Sequence, residues 1–365
     1  MLIVASLYII KATGSQQGLI VAAGGIAVAI FFFLRAKFKN QIVSLFYSIS
    51  VSIVGFISIL GMLQLGPLAG LLYKDSVSYR GEYWQAGINM ALANPIFGIG
   101  LDSYGTYYRL FRSESATIKP GVDVVTDSSH NVFIDVLSST GFIGFLFYAT
   151  LILVVVFECI KFIKGNCNFD PIFVILFSTF IAYNAQSIIS INQIGLAIWG
   201  WILAGLLLGY TRRINLGIVE SKPLPISDLL RTKKTTQTKE IAAGISLGII
   251  AGGVAFFILA IPSFYADASL RKAIKSNSID DYVEVANQFP VDSARINYIA
   301  SRITIDGINE QAVTLVRIGL QKFPLDYGLM NSQYLISAED SEEYKAIGKK
   351  LHLADPFNPA YFKFK

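Results

Sequence analysis

Five stretches of this chain, about 17–34, 41–63, 142–160, 171–189 and 241–261, are long and apolar enough to cross the hydrocarbon core of a bilayer, which takes roughly 17 to 25 residues of helix. A sixth, IGLAIWGWILAGLLLGY at 194–210, is shorter and fits the same role. None of these runs alternates as a barrel strand must, and in lipid only helices or closed barrels satisfy every backbone N–H and C=O. The expected fold is therefore all-α: a polytopic helical membrane protein of about six transmembrane helices. Composition agrees, with 53% hydrophobic and 15% charged residues and a mean hydropathy of +0.55, against about 25% charged in a soluble domain. The opening MLIVASLYII is apolar for only ten residues before Lys11. It lacks the basic flank and cleavage site of a signal peptide and reads as the tail of a helix that begins upstream.

Orientation follows from the cations. Arg35, Lys37 and Lys39 follow the first run, and Lys161 and Lys164 follow the third. Arg212, Arg213, Lys222, Arg231, Lys233, Lys234 and Lys239 fill the segment before the last. These connections alternate, so the positive-inside rule places 35–40, 161–170 and 211–240 in the cytoplasm. The loop 64–130, the turn 190–193 and the tail 264–365 then lie outside. The net charge of +5 reports this topology and gives no case for a nucleic-acid partner. Cys159 and Cys167 fall at or near a cytoplasmic end and suggest no disulfide.

Two domains are expected: a transmembrane domain over 1–263, with its large extracytoplasmic loop 64–130, and a polar, helix-patterned tail over 264–365. In the tail QFPVD at 288–292 recurs as KFPLD at 322–326, and Pro290 and Pro324 are 34 residues apart, the tetratricopeptide period. ADPFNP at 354–359 falls close to the next period. The tail thus reads as a short extracytoplasmic helical-repeat domain, a surface for a protein partner rather than for catalysis; two coincidental helix-ending prolines are the alternative.

The loop is the most informative segment. SVSYRGEYWQAGINMALANP reads as a helix with Ser78 as N-cap and Asn94-Pro95 as its stop. Tyr79, Tyr83 and Trp84 would lie close together on it, suited to the outer membrane interface. After it, Gly98, Gly100 and Gly105 break the pattern, and Arg109 and Arg112 stand three apart. The outward surface then offers Arg80, Arg109, Arg112, His130 and Asn131, with the acids Glu82, Asp102, Asp123 and Asp127. Arginine grips phosphate oxygens with a planar, permanently charged fork, and histidine accepts a proton near neutrality. Together they suit a reaction in which a hydroxyl is activated while a phosphate leaves. The alternatives are interfacial snorkelling for the arginines and a helix-capping role for His130; His352, in the tail, reads as structural.

Other chemistries find little support. No HExxH, GxxxxGK[ST] or GxSxG occurs, and two cysteines with two histidines make no zinc site at ordinary spacing. GSQQG at 14–18 has the spacing of a close helix-packing motif. Asn184, Gln186, Asn192 and Gln193 lie at or near the outer boundary, where they face either the cavity of His130 or neighbouring helices. Gln186 is the substrate-binding candidate among them.

SYRGEYWQAGINMALANPIFGIGLDSYGTYYR, followed after a loop by SSHNVFIDVLSSTGFIGF, resembles the signature region of the O-antigen ligase and polymerase family of bacterial membrane glycosyltransferases. With TGSQQG and SINQIGLAIWGW the likeness extends over roughly residues 11–210. The resemblance implies a multi-pass protein of the cytoplasmic membrane acting on its outer side. It would transfer an oligosaccharide from a polyprenyl-diphosphate carrier to a glycan or lipid acceptor, without metal or other cofactor. Arg80 and an arginine from the following segment would hold the diphosphate, and His130 would activate the acceptor hydroxyl. Where family members commonly have Ser-Arg-Gly, this chain has Ser15-Gln16-Gln17-Gly18, so one expected cation is absent. The family usually has about twice as many spans, so the chain reads as a fragment or as one part of a site completed by a partner. The rival functions are a glycan-repeat polymerase of the same family, a lipid-linked glycan transporter, which would need polar residues through the membrane's depth, and a non-catalytic membrane scaffold.

Overall fold

The computed structural model of the protein describes residues 8–14, 16–38, 41–62, 65–72, 75–166, 168–216, 238–276, 278–303, 310–339 and 341–365. Expectations that fall on residues 1–7, Ser15, Lys39, Cys167 and the basic segment from Lys222 to Lys234 lie outside the described residues. The described residues form helices, turns and loops with no strand, so the all-α reading holds. Contacts divide the chain into two compact units, Met1–Pro223 and Leu224–Lys365.

The first unit contains α1 (Gln16–Lys37), α2 (Gln41–Met62), α3 (Asp75–Ala93), α4 (Tyr104–Phe111), α5 (Val132–Gly165), α6 (Pro171–Ser187) and α7 (Ile194–Asn215). Among the described residues five helices are long and apolar enough to cross a membrane: α1, α2, α5, α7 and, in the second unit, Ser246–Ser276. The expected span at 171–189 is α6, which is apolar but has 17 residues, whereas the shorter run at 194–210 lies within the longer α7. The chain is thus a multi-pass helical membrane protein.

α1, α5, α6 and α7 pack as a bundle. Its core is aromatic: Phe162 stacks on Phe173 with ring centroids 4.3 Å apart, and Phe32 meets Phe173 and Phe177 edge-on. Phe147, Ile175 and Trp199 are 71%, 66% and 62% exposed; in a bundle this apolar the outward faces are the ones that meet lipid. One end of the bundle is closed by polar fastenings. Asp170 caps α6, accepting the N–H groups of Ile172 and Phe173, and its other oxygen accepts the Tyr210 hydroxyl at 2.7 Å. Arg35 donates to the Ile163 carbonyl at 2.7 Å. Arg35, Lys37, Lys161, Lys164, Arg212 and Arg213 collect at helix ends there, while His130 precedes the opposite end of α5.

The second unit begins with α8 (Thr238–Ala255), which runs through a π turn at Phe256–Ala260 into α9 (Ile261–Ser276). The expected domain limit at 263 therefore lies inside a continuous helix. Next come α10 (Ile279–Asn287), α11 (Ser293–Ile303), α12 (Glu310–Lys322), α13 (Tyr327–Ile336) and α14 (Glu342–Ala354). The three proline phrases each follow a helix end, at α10, α12 and α14. α11 packs on α12, α12 on α13 and α13 on α14, and α11 and α13 start 34 residues apart. Apolar residues at helical spacing, such as Ile296, Ile299, Leu315 and Leu329, supply the core. His352 packs edge-on against Phe362.

Candidate functional site

The site is built in the first unit from α3, the segment 95–130 and the head of α5. α3 stops at Ala93, just before Asn94-Pro95 as expected. It starts at Asp75 rather than at a Ser78 cap, with an acidic first turn that suits the helix dipole and an Asp75–Lys119 ion pair of 2.8 Å. GSQQG does not form a helix-packing face, because Gly14 lies at φ 66 in a turn ahead of α1.

α5 breaks at Gly141, whose φ of 65 and ψ of −168 belong to a region essentially limited to glycine. The break interrupts the helical ladder, and the glycine loop replaces the missing bonds. Ile99 and Gly100 donate to the carbonyls of Ser138 and Ser139 at 2.9 and 3.0 Å, and Phe142 donates to the Pro95 carbonyl at 2.7 Å. A Cβ on Gly141 would stand 2.3 Å from the Ile96 carbonyl oxygen, and one on Gly98 would stand 2.4 Å from the Ser139 carbonyl carbon. The NP-x-x-G-x-G phrase and the S-S-T-G phrase are thus a backbone-to-backbone clasp. It fixes the start of the apolar helix and the path of the chain on either side of it.

His130 lies beside this clasp with φ 57. The turn before α5 is fastened internally: Ser129 donates its N–H to Asp135 at 2.6 Å and its hydroxyl to the Asn131 carbonyl at 2.9 Å. The His130 ring stacks on Tyr83, 5.7 Å between centroids, and no hydrogen bond engages its nitrogens among the described residues. Burial first, and the charge of Arg80 second, hold the imidazole below the ordinary histidine pKa. Arg80 sits one turn before Tyr83 on the same face of α3. Burial lowers its pKa below the ordinary guanidinium value, yet a guanidinium remains charged at any working pH, and no hydrogen bond or ion pair engages it among the described residues. The structure therefore brings Arg80 and His130 together.

Buried tyrosines pack around that pair. Tyr83 is buried, meets Tyr108 edge-on, and accepts the Tyr104 hydroxyl on its backbone carbonyl. Burial pushes the pKa values of Tyr104 and Tyr108 up, so both phenols stay protonated.

The remaining candidates divide. Arg112 is 1% exposed and donates to the Val122 carbonyl at 2.8 Å, so it is neither snorkelling nor open to a ligand. Arg109 donates to the same carbonyl at 3.2 Å and is only half-buried. Asn131 is the N-cap of α5: its side-chain oxygen accepts from Phe133 at 3.0 Å and Ile134 at 3.2 Å. Glu82 accepts hydrogen bonds from Ser113 and Ser115 and ties the short turn after α4 to α3. His130 opens onto a cavity of about 460 Å³ shared with Asp102, Asp127, Asp135, Asn192 and Gln193. Gln186, the amide expected there, does not line it; Gln193 does, because α6 ends at Ser187 and the following turn carries 191–193 to the rim. Asp102, expected only as one of four acids on the outward surface and given no role there, lines the cavity beside His130. Its one signal was its place among Gly98, Gly100 and Gly105.

Together these features define a polytopic helical membrane protein with an arginine and a stacked histidine side by side at one end of its bundle. Residues 1–149 match the family model described as O-antigen ligase. That bears out the resemblance over α1 to α4 and the head of α5, and it supports a general O-antigen ligase- or polymerase-like function, with a lipid-linked glycan and membrane lipid as the partners such a family implies. No curated protein and no solved structure gives a match.

Proposed function

We propose that the chain transfers an oligosaccharide from a polyprenyl-diphosphate carrier to an acceptor hydroxyl at the outer face of the cytoplasmic membrane. The observation that carries this reading is the pairing of a half-buried Arg80 with a stacked His130 at the mouth of a cavity, neither Arg80 nor the His130 ring nitrogens being engaged by a hydrogen bond among the described residues. Arg80 binds the diphosphate oxygens through its fork. His130 accepts the proton of the acceptor hydroxyl. That oxygen bonds to the anomeric carbon, and the bond from that carbon to the diphosphate breaks. The diphosphate departs with the electron pair, its growing charge met by a guanidinium already in place. A lowered pKa keeps His130 in its neutral, basic form near pH 7. Arg109 is the second diphosphate contact, whereas Arg112 and Asn131 position the walls; no metal is assigned to the step. With a glycan acceptor the step is polymerisation, and with a lipid acceptor it is ligation.

In this reading the Arg80–His130 end of the bundle faces outward. The region 264–365 is an extracytoplasmic repeat domain that binds a protein partner or orients the acceptor. In a cysteine-free background, a membrane-impermeant thiol reagent applied from outside should label Lys119→Cys and miss Lys161→Cys; the reverse pattern would overturn the orientation. For the chemistry, glycan transfer is measured in membranes at matched protein abundance. Arg80→Ala should abolish it and Arg80→Lys should restore it poorly, because a point charge cannot reproduce a bidentate fork. His130→Ala should slow it by roughly 10²- to 10⁴-fold. Normal product from His130→Ala would exclude the base role.

A further inference from the structure

Arg80 does not line the cavity onto which His130 opens, and the chemistry of that cavity is of the opposite kind. No lysine or arginine is among its described lining residues, whereas Asp102 and Asp127 face it from the glycine loop and from the segment before His130, and Asp135, whose carboxylate already accepts the Ser129 N–H, lines it as well. Asn192 and Gln193 enter from the turn between α6 and α7. No hydrogen bond or ion pair engages the carboxylates of Asp102 and Asp127 among the described residues. The volume, about 460 Å³, is within the usual range for small-ligand sites, roughly 300–1,000 Å³.

The backbone marks the same place. Among the described residues the non-glycine residues at positive φ are Asp102 and His130, at 56 and 57, and both line this cavity. Such conformations persist only where the surroundings enforce them, and they gather at functional sites. Here the clasp at Gly98 and Gly141 supplies the enforcement for Asp102, and the Ser128–Asn131 hydrogen bonds supply it for His130.

A carboxylate only accepts hydrogen bonds, with two oxygens that suit the paired O–H groups of a vicinal diol; amides both give and take. The same carboxylates repel an anion. We propose that the cavity seats an uncharged, hydroxyl-rich sugar, and that Asp102 and Asp127 exclude sugars bearing a carboxylate or phosphate. The inference rests on the transfer reading for naming that sugar the acceptor. His130 then stands between an arginine for the leaving anion and an acidic seat for the attacking alcohol.

The test uses the full chain in nanodiscs with no lipid-linked donor, and saturation-transfer NMR with methyl β-glucopyranoside and methyl β-glucuronide as probes. The two differ in one carboxylate. The glucoside should bind about tenfold more tightly, a size set by one unit charge repelling another across several ångströms of hydrated protein. Asp102→Asn combined with Asp127→Asn should bring the probes to parity; asparagine tolerates the left-handed backbone, so the turn is kept. Gln193→Ala should weaken both probes alike. Equal binding of the two by the unaltered protein, tighter binding of the glucuronide, or binding of neither would overturn the proposal. Because no donor is present, these outcomes are separate from the transfer assay: normal product from His130→Ala would refute the base while leaving the sugar preference standing.

Discussion

Gly141→Ala tests whether the clasp holds the site. The added Cβ would lie 2.3 Å from the Ile96 carbonyl oxygen and 2.6 Å from the Gly98 nitrogen, both backbone atoms that cannot rotate away. It would also impose φ 65, ψ −168 on a residue with a side chain, at roughly 1–3 kcal/mol. Relief requires the 95–100 loop to move off, which breaks three main-chain hydrogen bonds, to Ser138, to Ser139 and from Phe142, each worth about 0.5–1.5 kcal/mol. The sum, roughly 2.5–7.5 kcal/mol, is a large part of the 5–15 kcal/mol that separates folded from unfolded domains. The expected outcome is a much lower unfolding temperature in detergent by tryptophan fluorescence, faster proteolysis in 95–130, and loss of glycan product at matched abundance. Gly209→Ala is the control: no atom lies within 4 Å of the new Cβ, and alanine in a helix interior is favoured over glycine by about 1 kcal/mol. If Gly141→Ala unfolds at the unaltered temperature and gives normal product, the clasp does not hold the site.

Three further outcomes follow from the same geometry. His130 should titrate below the ordinary histidine value, because burial and Arg80 both disfavour its charged form; transfer should therefore fade as pH falls through that lowered value, and Arg80→Gln should move the His130 pKa upward. With only two histidines in the chain, NMR of labelled imidazoles reads this directly, and an unmoved His130 in Arg80→Gln would refute the coupling. Arg112→Met should destabilise the first unit by about 1.5–3 kcal/mol through loss of its buried, charge-assisted bond to Val122, seen as faster cleavage in 113–124, with Arg109→Ala milder; equal effects would refute their different burial. Asn131→Ala should lose about 0.5–2 kcal/mol of stability as a missing cap, and Asn131→Asp or Asn131→Ser should recover most of it; failure of both replacements would point to a ligand role instead.

Much of this protein was legible in one dimension, because lipid asks for long apolar runs and the cations mark their ends. The runs at 17–34, 41–63, 142–160 and 194–210 became α1, α2, the straight part of α5, and α7, and Asn94-Pro95 ended α3. Arg80 and His130 could be singled out by residue type and by resemblance. Tertiary structure decided which of the similar residues are available. Arg80 and Arg112 have the same side chain, yet one stands half-buried beside a histidine and the other is fully buried and donates to the Val122 carbonyl. Gln186 and Gln193 differ by seven positions, and only the second reaches the cavity. Asn131 looked like a ligand and is a cap, while Asp102 looked like a loop residue and shares a cavity with His130. The physical reason is that hydropathy and helix punctuation are local properties, carried by each residue and its near neighbours. The approach of Gly98 to Gly141, or of 191–193 to His130, is set by distant backbone packing that no spacing along the chain records.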